Sequence, residues 1–123
     1  MTKEQAENLI IGAKLEGESA DLVRAQIEEG DLDVFCILNT NDRPQFVIAK
    51  NVRYAKLLSR QSGHIHHLSN GRAYFAEKVP RLASRAFLSS ARRAAADRTP
   101  GIVERRGNHA VMGDRVYSPL VGL

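Results

Sequence analysis

Apolar residues recur along the chain in two rhythms, and the changes of rhythm mark the elements. Ala6, Leu9, Ile10 and Ala13 fall at i, i+3, i+4 and i+7, the spacing that gathers side chains on one face of a helix. Thr2 stands where a cap is needed, and Gln5 completes a capping box three residues on. Gly17 ends this helix or begins the loop after it. Ser19 is placed to cap a second helix with the stripe Leu22, Val23 and Ile27, and Gly30 follows as the residue beyond its end. The spacing therefore predicts an amino-terminal helical pair.

From Val34 the period shortens. VFCIL and QFVIAK are strand-like runs separated by NTNDRP, a segment of turn formers, and read as a β-hairpin buried on one face or both. Asn51 is placed to cap a short helix, VRYAKLLSR, ending near Gly63. His64–Leu68 and Arg72–Ala76 read as two strands joined through Ser69-Asn70-Gly71, because Asn-Gly favours tight hairpin turns. Pro80 suits the first turn of the longest helix, expected from Pro80 to Asp97 and stopped by Pro100-Gly101. IVERR, HAVM and RVYS, linked by Gly107-Asn108 and Gly113-Asp114, predict a three-stranded meander that Pro119 ends. Helices and hairpins come in blocks, without regular βαβ alternation. The fold class is α+β: an amino-terminal helical pair, β-hairpins interleaved with two further helices, and a carboxy-terminal β-meander, in one domain spanning 1–123.

Composition narrows the functional classes. A chain of 123 residues with one Cys and no Trp is neither a two-domain enzyme nor a disulfide scaffold. No apolar run approaches the roughly 18 residues that span a bilayer, so no membrane partner is expected. The acidic start lacks the basic-then-apolar order of a signal peptide, and a lone cysteine suits a reducing compartment. The expected location is cytoplasmic, or a virion if the chain is a structural subunit. Cys36, inside VFCIL, reads as a small core hydrophobe.

The net charge of +4 conceals a bipolar chain. Residues 1–35 carry three bases and nine acids, whereas residues 36–123 carry fifteen bases and five acids. Twelve of those fifteen bases are arginine, whose planar fork suits bidentate contact with phosphate or carboxylate. On a helix from Pro80, steps of 100° place Arg81, Arg85 and Arg92 within about 40° of one another, with Arg93 on the flank. Leu82, Ala83, Ala86, Phe87 and Ala94 fall opposite. Arg72, Arg105 and Arg106 extend the candidate basic patch if the meander packs beside the helix. Such a patch is the electrostatic footprint of a nucleic-acid, nucleoprotein or acidic-protein partner. A charged helix face is equally the ordinary solvated side of an amphipathic helix, and the acidic helices offer it partners within the fold. Aromatics able to stack on bases are few, with Tyr74 beside Arg72 the best placed.

Phe46 to Leu58, FVIAKNVRYAKLL, resembles the strand-to-helix segment of phage antirepressor (Bro-type) amino-terminal domains, which bind DNA. Asn51 stands where that pattern has Asp, the aromatic is offset, and no residue role is carried over.

Catalytic signals are sparse. On a strand, His64 and His66 would share a face and offer two nitrogen ligands to a metal, with His109 or Glu77 as a third. No HExxH, Walker A, GxGxxG or GxSxG pattern accompanies them, and no cofactor is implied. The sequence points to a non-enzymatic binding protein using its arginine-rich face, in the manner of a small phage- or plasmid-encoded adaptor or inhibitor. One alternative is a structural assembly subunit or homo-oligomer that packs acidic face to basic face, with Pro119–Leu123 as a docking tail. Another is a metal-dependent enzyme built on His64 and His66.

Overall fold

Two strands that are apolar on both sides organise the protein. In the computed structural model, which describes residues 1–120, β1 (Asp33–Leu38) and β2 (Pro44–Ala49) pair antiparallel around the Asn39–Arg43 turn. Asn39 Oδ1 accepts from the backbone N–H groups of Asn41 and Arg43 and holds that turn. β3 (Arg72–Phe75) pairs with β1, and β4 (Gly101–Arg106) pairs with β2. β5 (His109–Met112) and β6 (Arg115–Tyr117) continue from β4 as the expected meander. The result is a six-stranded antiparallel sheet in the order β3-β1-β2-β4-β5-β6.

Period-two alternation on β1 and β2 divides their side chains between two cores. Val34, Cys36, Phe46 and Ile48 face helix α4 (Arg85–Ala96), with Phe87, Ala91 and Ala94 from the helix. Phe35, Ile37, Val47 and Ala49 face the opposite layer, where α3 (Val52–Gln61) brings Ala55 and Leu58. The amino-terminal pair, α1 (Lys3–Gly12) and α2 (Gly17–Arg24), joins this second layer through α2 against α3. Thr2 and Gln5 form the expected capping box, and Asn51 accepts from the Tyr54 N–H as the cap of α3. The class is α+β, with the helical part first and the strand meander last.

Four local expectations give way to competing contacts. The second helix begins at Gly17 and has no side-chain cap, so Ser19 lies inside its first turn. That helix ends at Arg24, which leaves Gly30 (φ 85°) in the loop leading to β1 and not beside a helix end. The longest helix starts at Arg85, not Pro80. Ser84 sits in extended backbone and its hydroxyl accepts from the Phe87 N–H, while Arg105 takes the Leu82 carbonyl at 2.8 Å. A continuous helix would need that carbonyl for the N–H four residues on. Pro80–Leu82 is accordingly a separate turn, and Arg81 does not share a helix face with Arg85 and Arg92.

His64–Leu68 is not a strand. Gly63, at φ 85°, donates to Arg60 O and the His64 N–H reaches Ser59 O, which is the paired closure of a Schellman cap on α3. The chain then runs through bends into a short 3-10 turn, Leu68–Asn70. Asn70-Gly71 makes no hairpin, because Gly71 is extended (φ −100°, ψ 134°) and β3 finds its partner in the distant β1.

Cys36 is fully buried at the heart of the α4 core, and burial pushes its thiol up to about 11 from 9.0. Burial favours the neutral form, so this site costs no stability below pH 9. Stability drains away as pH rises from 9 through 11, because the unfolded chain ionises first. Relative to a Cys36→Ala reference, the protein is expected to lose about 2 kcal/mol by about pH 10.5. Urea titrations of both proteins across this range check it, and parallel pH profiles would refute it.

Candidate functional site

The outward face of α4 is bordered by two hollows, and its composition follows from the helix period. With Phe87, Ala91 and Ala94 turned into the core, 100° steps aim Arg85, Ser89, Arg92 and Ala96 away from it. Leu88 and Ala95 lie on one flank of this ridge and Arg93 on the other. A hollow borders each flank.

On the Leu88 side, a cleft of about 460 Å³ opens between α4 and the segment leading into β1. Leu32, Val34, Leu88 and Ala95 supply its apolar floor, and the Phe75 ring stands at one wall, 44% exposed. Asp31, Asp33 and Glu77 line it together with Arg92 and Arg98. Glu77 is engaged, since Arg92 donates to it at 2.8 Å. Asp31 and Asp33 have no ion-pair partner among the described residues.

On the Arg93 side lies a groove of about 410 Å³ bounded by Arg85, Ser89, Arg92, Arg93 and Ala96, with Leu88 and Leu120. No carboxylate lines it among the described residues. The chain after β6 runs along this side: Arg93 donates to Ser118 O at 2.9 Å, and the Leu120 N–H donates to Ser89 Oγ at 3.0 Å. Pro119 and Leu120 of the expected docking tail therefore lie on α4 of their own chain, and the rest of that tail falls outside the described residues.

The expected basic patch is brought together only in part. Arg85, Arg92 and Arg93 share the α4 face. Arg105 is a strut: it donates to Leu82 O and Gly107 O, reaches Ser84 Oγ at 3.2 Å, and lies 5.0 Å above the Phe87 ring. Arg106 pairs with Glu104 beside it, and Arg72 pairs with Asp42 at the far edge of the sheet. Each of these two cations already answers a carboxylate, which shortens any continuous basic track. Arg81 and Arg85 carry no ion pair among the described residues.

The acidic helices do not mask this face. They lie on the opposite side of the sheet and spend their charge there: Glu18 accepts from Arg60 and Asp21 from Arg53, each at 2.7 Å. Arg24 forms the matching bond within the pair, and its guanidinium holds the Glu7 carboxyl below the usual carboxylate range. Asp31 and Asp33, in contrast, sit after the helices, where the chain crosses back beside α4. Nothing in their local sequence marks them, since β1 must be placed before their neighbours are known.

Two of the candidate ligands, His64 and His66, share one hollow, and the expected third ligands stand elsewhere. His64 Nε2 lies 2.9 Å from Ile37 O, His109 is bonded to Ser118, and Glu77 belongs to Arg92. His64 and His66 both border a hollow of about 190 Å³, together with Asn39, Asn41 and Asn70, and no carboxylate or third histidine joins them there among the described residues. No group of three His, Cys, Asp or Glu side chains among the described residues is placed to hold a metal ion. Among the same residues no helix is long and apolar enough to cross a membrane.

Comparison with protein-family models, with characterised proteins and with solved structures finds no match to this chain. The Phe46–Leu58 segment does run from strand β2 into helix α3, as its likeness implied, but no family match accompanies it.

Proposed function

We propose that this protein is a non-enzymatic binding module that uses the outward face of α4 to dock an acidic protein surface. One observation carries the reading. The groove beside Arg85 and Arg93 combines arginine rims with an apolar lining of Leu88, Ala96 and Leu120, and contains no carboxylate among the described residues. Leu120 is 58% exposed beside those arginines, so the groove offers apolar surface together with charge. Arginine forks with an adjacent apolar surface suit a partner that offers carboxylates beside aliphatic side chains. A phosphate backbone would use the arginines and leave the apolar lining unmet. Nucleic acid remains the competing occupant, supported by the basic excess of residues 36–123.

The test uses two fluorescent probes, a glutamate- and leucine-rich peptide and a short DNA duplex, followed by anisotropy. The double variant Arg85→Glu/Arg93→Glu is expected to weaken peptide binding by more than about tenfold, as loss of interface arginines does. Unchanged peptide affinity would sink the docking face. Duplex binding that falls steeply with salt, with no peptide binding, would transfer the face to nucleic acid.

A further inference from the structure

The two flanks of α4 carry opposite charge. On the Leu88 side Asp31 and Asp33 outnumber Arg98, the other unpaired charge of that cleft among the described residues. On the other side Arg93, with Arg85 on the ridge beside it, meets no carboxylate among the described residues. Between them the ridge alternates long and small residues, Arg85, Ser89, Arg92 and Ala96; Ser89 is already covered by the chain's own Leu120, so a second copy can approach closely at Ala96. The central Arg92 is already neutralised by Glu77, which removes a repulsive charge from the middle of the face.

We infer that the surface docked on α4 is that of a second copy of this chain, related by a two-fold axis running along the helix. The inference rests on the reading of α4 as a docking face and names its occupant. Symmetry selects the arrangement. A two-fold across the helix would set acidic flank on acidic flank and basic on basic. A two-fold along the helix exchanges the flanks, so that Asp31 and Asp33 of each copy face Arg85 and Arg93 of the other. Both charge contacts are then made twice, and the contact closes on itself as a dimer. Leu120, on the basic flank, is carried toward the cleft in which Phe75 is open, so the most exposed apolar groups of the two flanks cover each other. The apolar floor beside each charge pair is what makes such an interface more than a screened surface attraction.

Sedimentation velocity of the full chain across a range of concentration and salt tests this. The expected species has twice the 13.6 kDa chain mass and dissociates as salt rises. Arg85→Glu/Arg93→Glu makes both flanks acidic, and Asp31→Lys/Asp33→Lys makes both basic. Each variant alone is expected to sediment as a monomer, and an equimolar mixture to recover the double-mass species. Joining all four substitutions in one chain, which merely exchanges the flanks, should restore the dimer. The sites are exposed, so circular dichroism and melting of each variant should match the parent and separate lost contact from lost fold. A parent chain that stays monomeric, a mixture that stays monomeric, or a mass that grows without limit would each overturn the two-fold pairing. If the parent is monomeric while the acidic peptide still depends on Arg85 and Arg93, the docking face stands and only its occupant is wrong. If neither association nor peptide binding responds to those arginines, both fall together.

Discussion

Replacing Phe87 with alanine is expected to remove about 4 kcal/mol of folding stability, near the upper end of what truncating one buried side chain does. Phe87 is fully buried and is the largest side chain that α4 sends into the sheet. Its ring packs on Phe46 at 4.7 Å between centroids, and the Arg105 guanidinium lies 5.0 Å from its centroid. Alanine would lose the transfer free energy of the ring and leave a cavity that two layers cannot both collapse into. It would also leave the Arg105 guanidinium without the ring it lies over, worth a further ~0.5–1 kcal/mol. Against a total of roughly 5–15 kcal/mol for a domain, that loss threatens folding at physiological temperature. Urea unfolding monitored by circular dichroism gives the number, and Phe87→Leu should cost far less because it refills most of the volume. A loss below about 1.5 kcal/mol for alanine would show that α4 is not held through this ring.

Gly71→Val is expected to cost about 3 kcal/mol, at the top of the range for overfilling a core. The backbone at Gly71 is ordinary extended chain that valine accepts readily, so the cost is one of space alone. A Cβ there would lie 2.9 Å from Ile65 Cδ1 and 3.3 Å from Ile37 Cγ2, and both isoleucines are buried. Ile37 is held between the two strands that flank β1 and gives least, whereas Ile65 borders a hollow and can turn its terminal methyl aside. The strain therefore falls chiefly between Ile37 and the branched valine side chain. Alanine at the same position should cost less, since it adds only the Cβ and also stiffens the unfolded chain. Shortening Ile65 to alanine in the valine background should recover part of the loss, which a double-mutant cycle would read as coupling between the two sites. A Gly71→Val protein as stable as its parent would refute the steric assignment.

Gly71 also shows where reading the chain alone stops. Asn70-Gly71 carries the strongest local hairpin signal in this region, and it failed because the glycine is required by a contact with Ile65 and Ile37 rather than by a left-handed turn. Local signals succeeded where the competing partners are also local. Gly107 and Gly113 do adopt positive φ in the two turns of the meander, and Thr2 and Asn51 cap the helices they precede. Pro80 failed as a helix start because Arg105, more than twenty residues away, claims the Leu82 carbonyl and Ser84 offers a cap four residues later.

The candidate face divides the same way. Arg85, Arg92 and Arg93 were legible because the helix period alone sets their direction. Asp31 and Asp33 were counted with the amino-terminal acids, and only the crossing of β1 beside α4 gives them a place in the cleft. Arg72, Arg105 and Arg106 were drawn into the patch by charge, and the tertiary structure assigns each a partner within the chain.

Periodicity and turn chemistry within a few residues were enough for the α+β class, the doubly apolar β1–β2 pair, the meander and the burial of Cys36. The tertiary structure alone decided which strand β3 joins, where α4 begins, and which charges remain unanswered. Those outcomes depend on contacts between residues far apart in the chain, where close packing and hydrogen-bond competition outweigh local preference.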